Sequence, residues 1–294
     1  MKKCITALLL LFTLSVTSLL ACTSADKPES ATGKTSKTSK SINDKRTDLI
    51  PVTLNEVAHS IFYAPMYVAI EKNYFEKEGI DLSLVTGFGA DKTMTAVLSG
   101  TADIGFMGSE ASIYTYNEGA RDYVVNFAQL TQRAGNFLVA REDIKNFKWE
   151  DLKGRKVIGG RKGGMPEMVF EYILKQNHID PASDLTIDQN IDFGSTAAAF
   201  AEEKADYDFT VEFEPGATNL EKQEKGYVVA SLGTDSGYVP YTAFSAKKSY
   251  ISQHPEIIQG FTNALQKGMN YVASHTPEEI AQVIAPQFKE TTPD

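Results

Sequence analysis

The run Gly159-Gly160-Arg161-Lys162-Gly163-Gly164-Met165-Pro166-Glu167 sets four glycines around two cations just ahead of a predicted helix. Backbone amides in such a loop can hold an anion or a ring substituent, because glycine lets the chain approach a small molecule closely. A flexible solvent loop would use the same residues. Four further loops carry polar groups in comparable places. His59-Ser60-Ile61-Phe62-Tyr63-Ala64-Pro65 offers an imidazole, a hydroxyl and aromatic faces, although Phe62 and Tyr63 suit a core, and His59 a surface hydrogen bond, equally well. Gly87-Phe88-Gly89-Ala90-Asp91-Lys92 is glycine-rich but lacks the Walker spacing, and a turn with Asp91 as helix cap explains it as well. Gly108-Ser109-Glu110 opens another helix, either as a ligand contact or as a capping pair. The last loop, Glu212-Phe213-Glu214-Pro215, closes a strand. There period two turns Phe209, Val211 and Phe213 to the core and Thr210, Glu212 and Glu214 away. Glu214 at the strand end is the better cleft candidate, against a surface acid beside a turn.

The elements that must position these loops alternate between strand and helix. Strand patterns cover Pro51 to Val57, Ile80 to Val85, Ala102 to Phe106 and Tyr123 to Leu130. Between them, Tyr63 to Lys72, Lys92 to Ser99 and Ala111 to Asn117 are helical, the last two stopped by Gly100 and Gly119. A second unit opens with a turn and strand at Leu152 to Ile158, followed by a helix over Pro166 to Asn177 and a strand over Asp208 to Phe213. Two linking strands, Asn136 to Ala140 and Tyr241 to Ala246, flank this unit and make it an insertion within the first. Ile257, Ile258, Phe261, Leu265, Met269 and Val272 then describe an amphipathic helix over His254 to Val272 that packs back on the first unit. Such alternation predicts an α/β class with parallel or mixed sheets covered by helices.

The chain begins Met1-Lys2-Lys3, runs apolar from Ile5 to Leu20, and continues Ala21-Cys22, the order of a secretory signal. Leu19-Leu20-Ala21-Cys22 resembles the bacterial lipobox. That resemblance implies lipidation of Cys22 and an extracytoplasmic protein anchored to the cell membrane; an uncleaved membrane helix or a chance cysteine are the alternatives. From Thr23 to about Asp48 the chain is Ser, Thr, Lys and Asp with scarcely an apolar residue, too polar to offset its ordering entropy, so it reads as a flexible tether. Roughly 270 residues follow the signal, enough for two domains. Cys4 and Cys22 are the two cysteines, so the exported body has no thiol for a disulfide or zinc. A net charge of −9 with interspersed signs lacks the basic footprint of a nucleic-acid partner.

Three further segments carry a family resemblance. Tyr67-Val68-Ala69-Ile70-Glu71-Lys72-Asn73-Tyr74-Phe75-Glu76-Lys77-Glu78-Gly79-Ile80-Asp81, Leu98-Ser99-Gly100-Thr101-Ala102-Asp103-Ile104-Gly105 and Asp151-Leu152-Lys153-Gly154-Arg155-Lys156-Val157 occur in order. They resemble motifs of the binding proteins for nitrate, sulfonates, taurine and thiamine-pyrimidine precursors, over nearly everything from Val52 to about Val272. The resemblance implies a type II periplasmic-binding-protein fold, with two α/β lobes joined by two hinge strands that close over a small molecule handed to the permease of an ABC importer. On it the chain divides into a signal and lipobox (1–22), a tether (23–48), lobe I (49–135 plus 241–294) and lobe II (136–240), acts as a monomer, and needs neither cofactor nor metal. Family members usually run a few dozen residues further, which implies that lobe I here lacks part of its cover.

Charge is the handle on the ligand. Burying Glu110 or Glu214 beside a sulfonate adds repulsion and desolvation cost, whereas an aminopyrimidine donates to a carboxylate and stacks on Tyr63, Tyr238 or Tyr241. Arg133, Arg161 and Lys162 argue the other way, toward an anion, so the preference for an aminopyrimidine is slight. Enzymatic activity is the rival class, because fungal pyrimidine synthases share the resemblance. Those enzymes carry a cysteine-rich motif absent here, and His59, His178, His254 and His275 show no metal-ligand spacing. No nucleophile elbow appears either. A sensing lipoprotein with the same fold is the third class.

Overall fold

The computed structural model describes residues 49–290. The expected signal, Cys22 and the tether lie outside the described residues. In chain order the elements are β1 (Ile50–Glu56), α1 (Ala64–Glu71), α2 (Tyr74–Lys77), β2 (Ile80–Thr86), α3 (Ala90–Ser99), β3 (Ile104–Gly108), α4 (Glu110–Asn117) and β4 (Val124–Thr131). Next come β5 (Asn136–Ala140), β6 (Lys156–Ile158), α5 (Met165–Gln176), β7 (Thr186–Asp188), α6 (Thr196–Ala201), β8 (Phe209–Phe213), α7 (Gly216–Lys222), β9 (Tyr227–Ser231) and α8 (Leu232–Ser236). Last among the described helices and strands come β10 (Thr242–Lys247), α9 (Lys248–Gln253), α10 (Pro255–Ser274) and α11 (Pro277–Ile284), followed by a 3-10 turn (Ala285–Gln287).

Two five-stranded sheets result, ordered β2-β1-β3-β10-β4 and β7-β6-β8-β5-β9. Strands β1, β2 and β3 are parallel, and β10 enters antiparallel between β3 and β4. In the second sheet β6, β7 and β8 are parallel, and β5 is antiparallel to both β8 and β9. The chain therefore leaves the first sheet after β4 and returns to it at β10. The two crossing segments bond to each other: Val239 N donates to Gln132 O at 3.0 Å and Tyr241 N to Thr131 O at 3.2 Å. This is the α/β, two-lobed binding-protein architecture that the motifs imply.

Local chemistry explains most element ends. Gly100 and Gly119 end α3 and α4 with φ of 80° and 82°, a left-handed conformation that costs glycine little. Along α10, Ile257, Phe261, Ala264 and Leu265 are buried at one-face spacing. This stripe joins the first core, in which Phe106 stacks on Phe244 at 4.2 Å and Phe261 meets Phe244 at 5.2 Å. Burying each such ring contributes about 1.5–3 kcal/mol. Gly268 permits the close approach of α10 to α1, since a Cβ there would collide with the Pro65 carbonyl.

Thr210 and Glu212 turn away from the core side of Phe209 and Val211, as period two predicts, yet they are 0% and 4% exposed, because β8 lies inside a sheet covered on both faces. The second face carries its own cluster of Val139, Ile158, Phe200, Ala217 and Leu220.

His59 belongs to a polar cluster in the first half rather than to a ligand loop. Its Nδ1 lies 2.7 Å from Glu56 Oε1, and its Nε2 lies 3.0 Å from the Gln287 carbonyl beyond α11. Glu56 is fully buried and also accepts from Tyr67 and Thr86 hydroxyls at 2.7 and 2.8 Å. The Gln287 carbonyl only accepts, so Nε2 carries a hydrogen, and protonation of Nδ1, which makes the ring a cation, lets it donate to the Glu56 carboxylate as well. Burial works against that charge, but the bond to Glu56, its negative charge and the bond to Gln287 together raise the His59 pKa above 6.5. A raised folded-state pKa gives a contribution that is complete below 6.5 and is lost as pH rises through the folded value. Melting temperature should therefore fall from mildly acidic to mildly alkaline pH, and His59→Gln should flatten part of that fall; an unchanged slope would remove His59 from the account.

Candidate functional site

The carboxyl ends of the parallel strands and the following helix N-termini in both halves face a cavity of about 300 Å³. Ligands in open α/β sheets settle at such strand ends. The first sheet contributes Tyr63, Asp91 at the start of α3 and Glu110 at the start of α4. The second contributes Arg161 to Met165, and the returning crossing contributes Tyr241 and Thr242. Tyr63 and Tyr241 are buried, and burial raises both hydroxyls above the ordinary phenol value. The rings of Tyr63 and Phe106 meet edge to face at 4.5 Å, and Tyr241 Oη donates to Asn136 Oδ1 at 3.0 Å.

Glu110 joins the halves. Its Oε1 accepts from the Met165 amide at 2.9 Å, and its Oε2 is buried without a hydrogen-bond partner among the described residues. Burial, opposed by the amide bonds, pushes its pKa up to about 7. Among the described residues Thr242 Oγ1 and Asn136 Nδ2 are also buried without a well-formed hydrogen bond; Thr242 follows Tyr241 in the chain, and Asn136 accepts from Tyr241 through its Oδ1.

The cations are arranged differently. Arg161 pairs with Asp91 at 2.6 Å and with Asp192, and Asp192 also receives Lys92 at 2.7 Å. Lys92 is the first cause holding the Asp192 carboxyl below its ordinary value. The glycine loop has few amides left for an anion. Gly159 N donates to Asp188 O, Lys162 N to Gln189 O, Gly164 N to Arg161 O, and Gly163 N to Glu167 Oε2. Glu167, nearly buried, also accepts from Gln189 at 2.8 Å and so fixes this loop from below.

Of the candidates from sequence, Tyr63, Asp91, Glu110, Arg161, Lys162, Gly163, Gly164, Met165 and Tyr241 come together on this wall. The others lie elsewhere. Ser60 Oγ donates to Glu214 O at 2.5 Å, bridging the halves. Gly89 packs against the Arg161–Asp91 pair, where an added Cβ would stand 2.6 Å from Asp91 Oδ1. Ser109 donates to the Pro240 carbonyl at 2.7 Å. Arg133 donates to Gly233 O at 2.9 Å and lies 4.1 Å from the Tyr238 ring centre, and Tyr238 is 72% exposed. Glu214 accepts from Thr218 N and Oγ1, both at 3.0 Å, which makes it the acid that closes the first turn of α7; it lines a separate apolar cavity with Phe288. Asp91 and Ser109 are not side-chain caps: the residues that precede α3 and α4, Gly89 and Ser109, make no capping side-chain bond, and Asp91 lies within the first turn of α3. Sequence reasoning missed Thr242, Tyr114, Met94 and Phe193 on the wall. Only Thr242 had a signal, its place at the edge of a linking strand. Among the described residues no group of three or more His, Cys, Asp or Glu is placed to hold a metal ion, and no helix is long and apolar enough to cross a membrane.

Two α/β halves, a double crossing and a cleft between strand ends define a solute-binding protein of the periplasmic-binding-protein fold. The chain belongs to the NMT1/THI5-like family, whose model matches residues 61–280. YtlA of Bacillus subtilis (strain 168), provisionally named a binding protein, is 49% identical over 246 residues, covering 84% of this chain and 73% of its own. The fold is shared with the alkanesulfonate-binding protein SsuA of Xanthomonas axonopodis pv. citri bound to MOPS, at TM-score 0.69 and 15% identity, with 84% of this chain and 82% of that one covered. It is shared also with the periplasmic nitrate-binding protein NrtA of Synechocystis PCC 6803, at TM-score 0.65 and 17% identity, covering 81% and 66%. These relatives are binding proteins and not enzymes.

Three buried acids now share one sign. Burial raises Glu110 and Glu212 to about 7, and raises Glu167 as well, beside a Glu171 held low by the hydrogen bond between them. An acid whose pKa rises on folding stabilises below its unfolded value of 4.5 and loses that contribution as pH climbs through about 7. Glu110→Gln should therefore reduce the drop in melting temperature between about pH 5 and pH 8, independently of His59→Gln. Equal drops in wild type and Glu110→Gln would show that Glu110 carries its charge at no cost.

Proposed function

We propose that this chain is the extracytoplasmic substrate-binding component of an ABC-type import system, lipidated at Cys22 and acting as a monomer. Its two lobes, 49–135 plus 241–294 and 136–240, rotate about the crossings and close over the ligand before docking on a permease. Its ligand is a small flat molecule that presents hydrogen-bond donors, of the aminopyrimidine class.

One observation carries the ligand class: Glu110 Oε2 is a buried acceptor with no hydrogen-bond partner among the described residues, on a wall shared with the Tyr63 and Tyr241 rings. An exocyclic amine would complete it, and the rings would supply stacking. Arg161, the strongest candidate for an anion, is already neutralised by Asp91 and Asp192. The second reading, a sulfonate or nitrate ligand, is favoured by Lys162 on the same wall and by the names of the structural neighbours.

The two readings differ in sign with pH. A donor ligand binds ionised Glu110, so the affinity of a neutral aminopyrimidine should rise by about tenfold between about pH 6 and pH 8, with a proton released to buffer on binding. An anion prefers protonated Glu110 and should show the reverse. Titration calorimetry in two buffers measures both quantities. Affinity for the aminopyrimidine that falls with pH, or that survives Glu110→Gln unchanged, would refute the proposal.

A further inference from the structure

We infer that the four charges at the mouth of the cleft form a reciprocal latch that draws the two halves together without the ligand's help. Each half supplies one acid and one base. Asp91 and Lys92 stand side by side at the start of α3, on the first sheet. Arg161 follows β6, and Asp192 precedes α6, on the second. Arg161 reaches across to Asp91 at 2.6 Å, and Lys92 reaches back to Asp192 at 2.7 Å. Arg161 also pairs with Asp192 within its own half, so the set is internally linked and neutral.

The geometry separates this set from an ordinary scatter of surface pairs. Adjacent residues of opposite sign on α3 each reach an oppositely charged partner on the second half, and those two partners are themselves paired. Gly89 is what allows the approach: an added Cβ would stand 3.1 Å from Arg161 Nε as well as against Asp91. Every contact is between protein groups, so closure gains from them whatever the cavity holds.

The four side chains are between 25% and 58% exposed, which keeps the latch weak and open to screening. A weak latch is suited to a cleft that must also open. It biases the equilibrium toward closure by a few-fold and leaves the remaining bias to the ligand. It also changes the role of Arg161, from a ligand-binding cation to a positioning residue that holds the lobes in register.

The Met165 amide reports closure, because its acceptor, Glu110, lies on the other half. Hydrogen exchange of the peptide containing Met165, in the full chain with no ligand added, tests the latch apart from any question of ligand class. Exchange should quicken about two- to fivefold between about 20 mM and about 500 mM salt. Asp91→Asn and Lys92→Gln should each quicken it at low salt and shrink the salt response, while peptides of β3 and β10 stay unchanged. Exchange at Met165 that is indifferent to salt and to both substitutions would overturn the latch. So would a rise shared equally by β3 and β10, because that would mark general destabilisation.

Discussion

Because β10 enters the first sheet antiparallel between β3 and β4, the chain must build the whole second sheet before it can finish the first. That return is the constraint on which the rest depends. It makes the outgoing and incoming segments run side by side and bond as a short ribbon through Gln132, Thr131, Val239 and Tyr241. With the ribbon as the joint, the strand ends of both sheets face each other, and the helix starts that follow those strands arrive at one cleft. Phe62 wedges against Phe213 and Tyr241 at about this joint, with ring centres 6.2 and 6.0 Å away, so the junction is packed as well as hydrogen-bonded.

The charges in the cleft follow from that placement. Two unit charges about 4 Å apart interact by only ~1 kcal/mol in water but by ~4 kcal/mol near a protein surface, so acids and bases gathered at one mouth must pair or remain solvated. Asp91, Lys92, Arg161 and Asp192 pair at the rim. Glu110 is buried and makes no ion pair among the described residues, and burial raises its pKa to about 7. Rim and floor therefore differ within one cavity: paired charges outside, a buried carboxyl group with a raised pKa inside.

Most of the fold was legible in the sequence. Asn136 to Ala140 was readable to the residue, and the turn glycines Gly100 and Gly119 marked two helix ends correctly. What escaped were short elements whose existence depends on neighbours. Thr186–Asp188 is a strand only because Lys156–Ile158 lies beside it, and Tyr227–Ser231 pairs with β5 across a register shift. α11 lies past the amphipathic stripe and carries its own capping box at Thr276 and Glu279. At the site, residue types were readable and their partners were not. Period two placed Glu212 on the face opposite Phe209 and Val211 but could not show that this face is covered as well. The glycine loop suggested free amides because nothing in a one-dimensional reading shows Asp188, Gln189 and Glu167 waiting beneath it.

A buried polar atom without a well-formed hydrogen bond costs up to about 1–3 kcal/mol, and among the described residues Glu110 Oε2 is the clearest case, since Thr242 still interacts with the Tyr63 hydroxyl. Of Glu110 Oε2, Thr242 Oγ1 and Asn136 Nδ2, two are on the first sheet's side and one is at the start of β5 on the second. Packing faults scattered by chance would not gather at the joint between the halves. A molecule that offers a donor to Glu110 and an acceptor to Thr242 would relieve part of this cost at the place where the lobes meet. Its binding energy would then be felt directly by the joint and by the closed state. On the proposed function, recognition would add to the closure that the rim charges favour, and Tyr241 and Thr242, which line the cavity, sit on the returning crossing that the topology imposes.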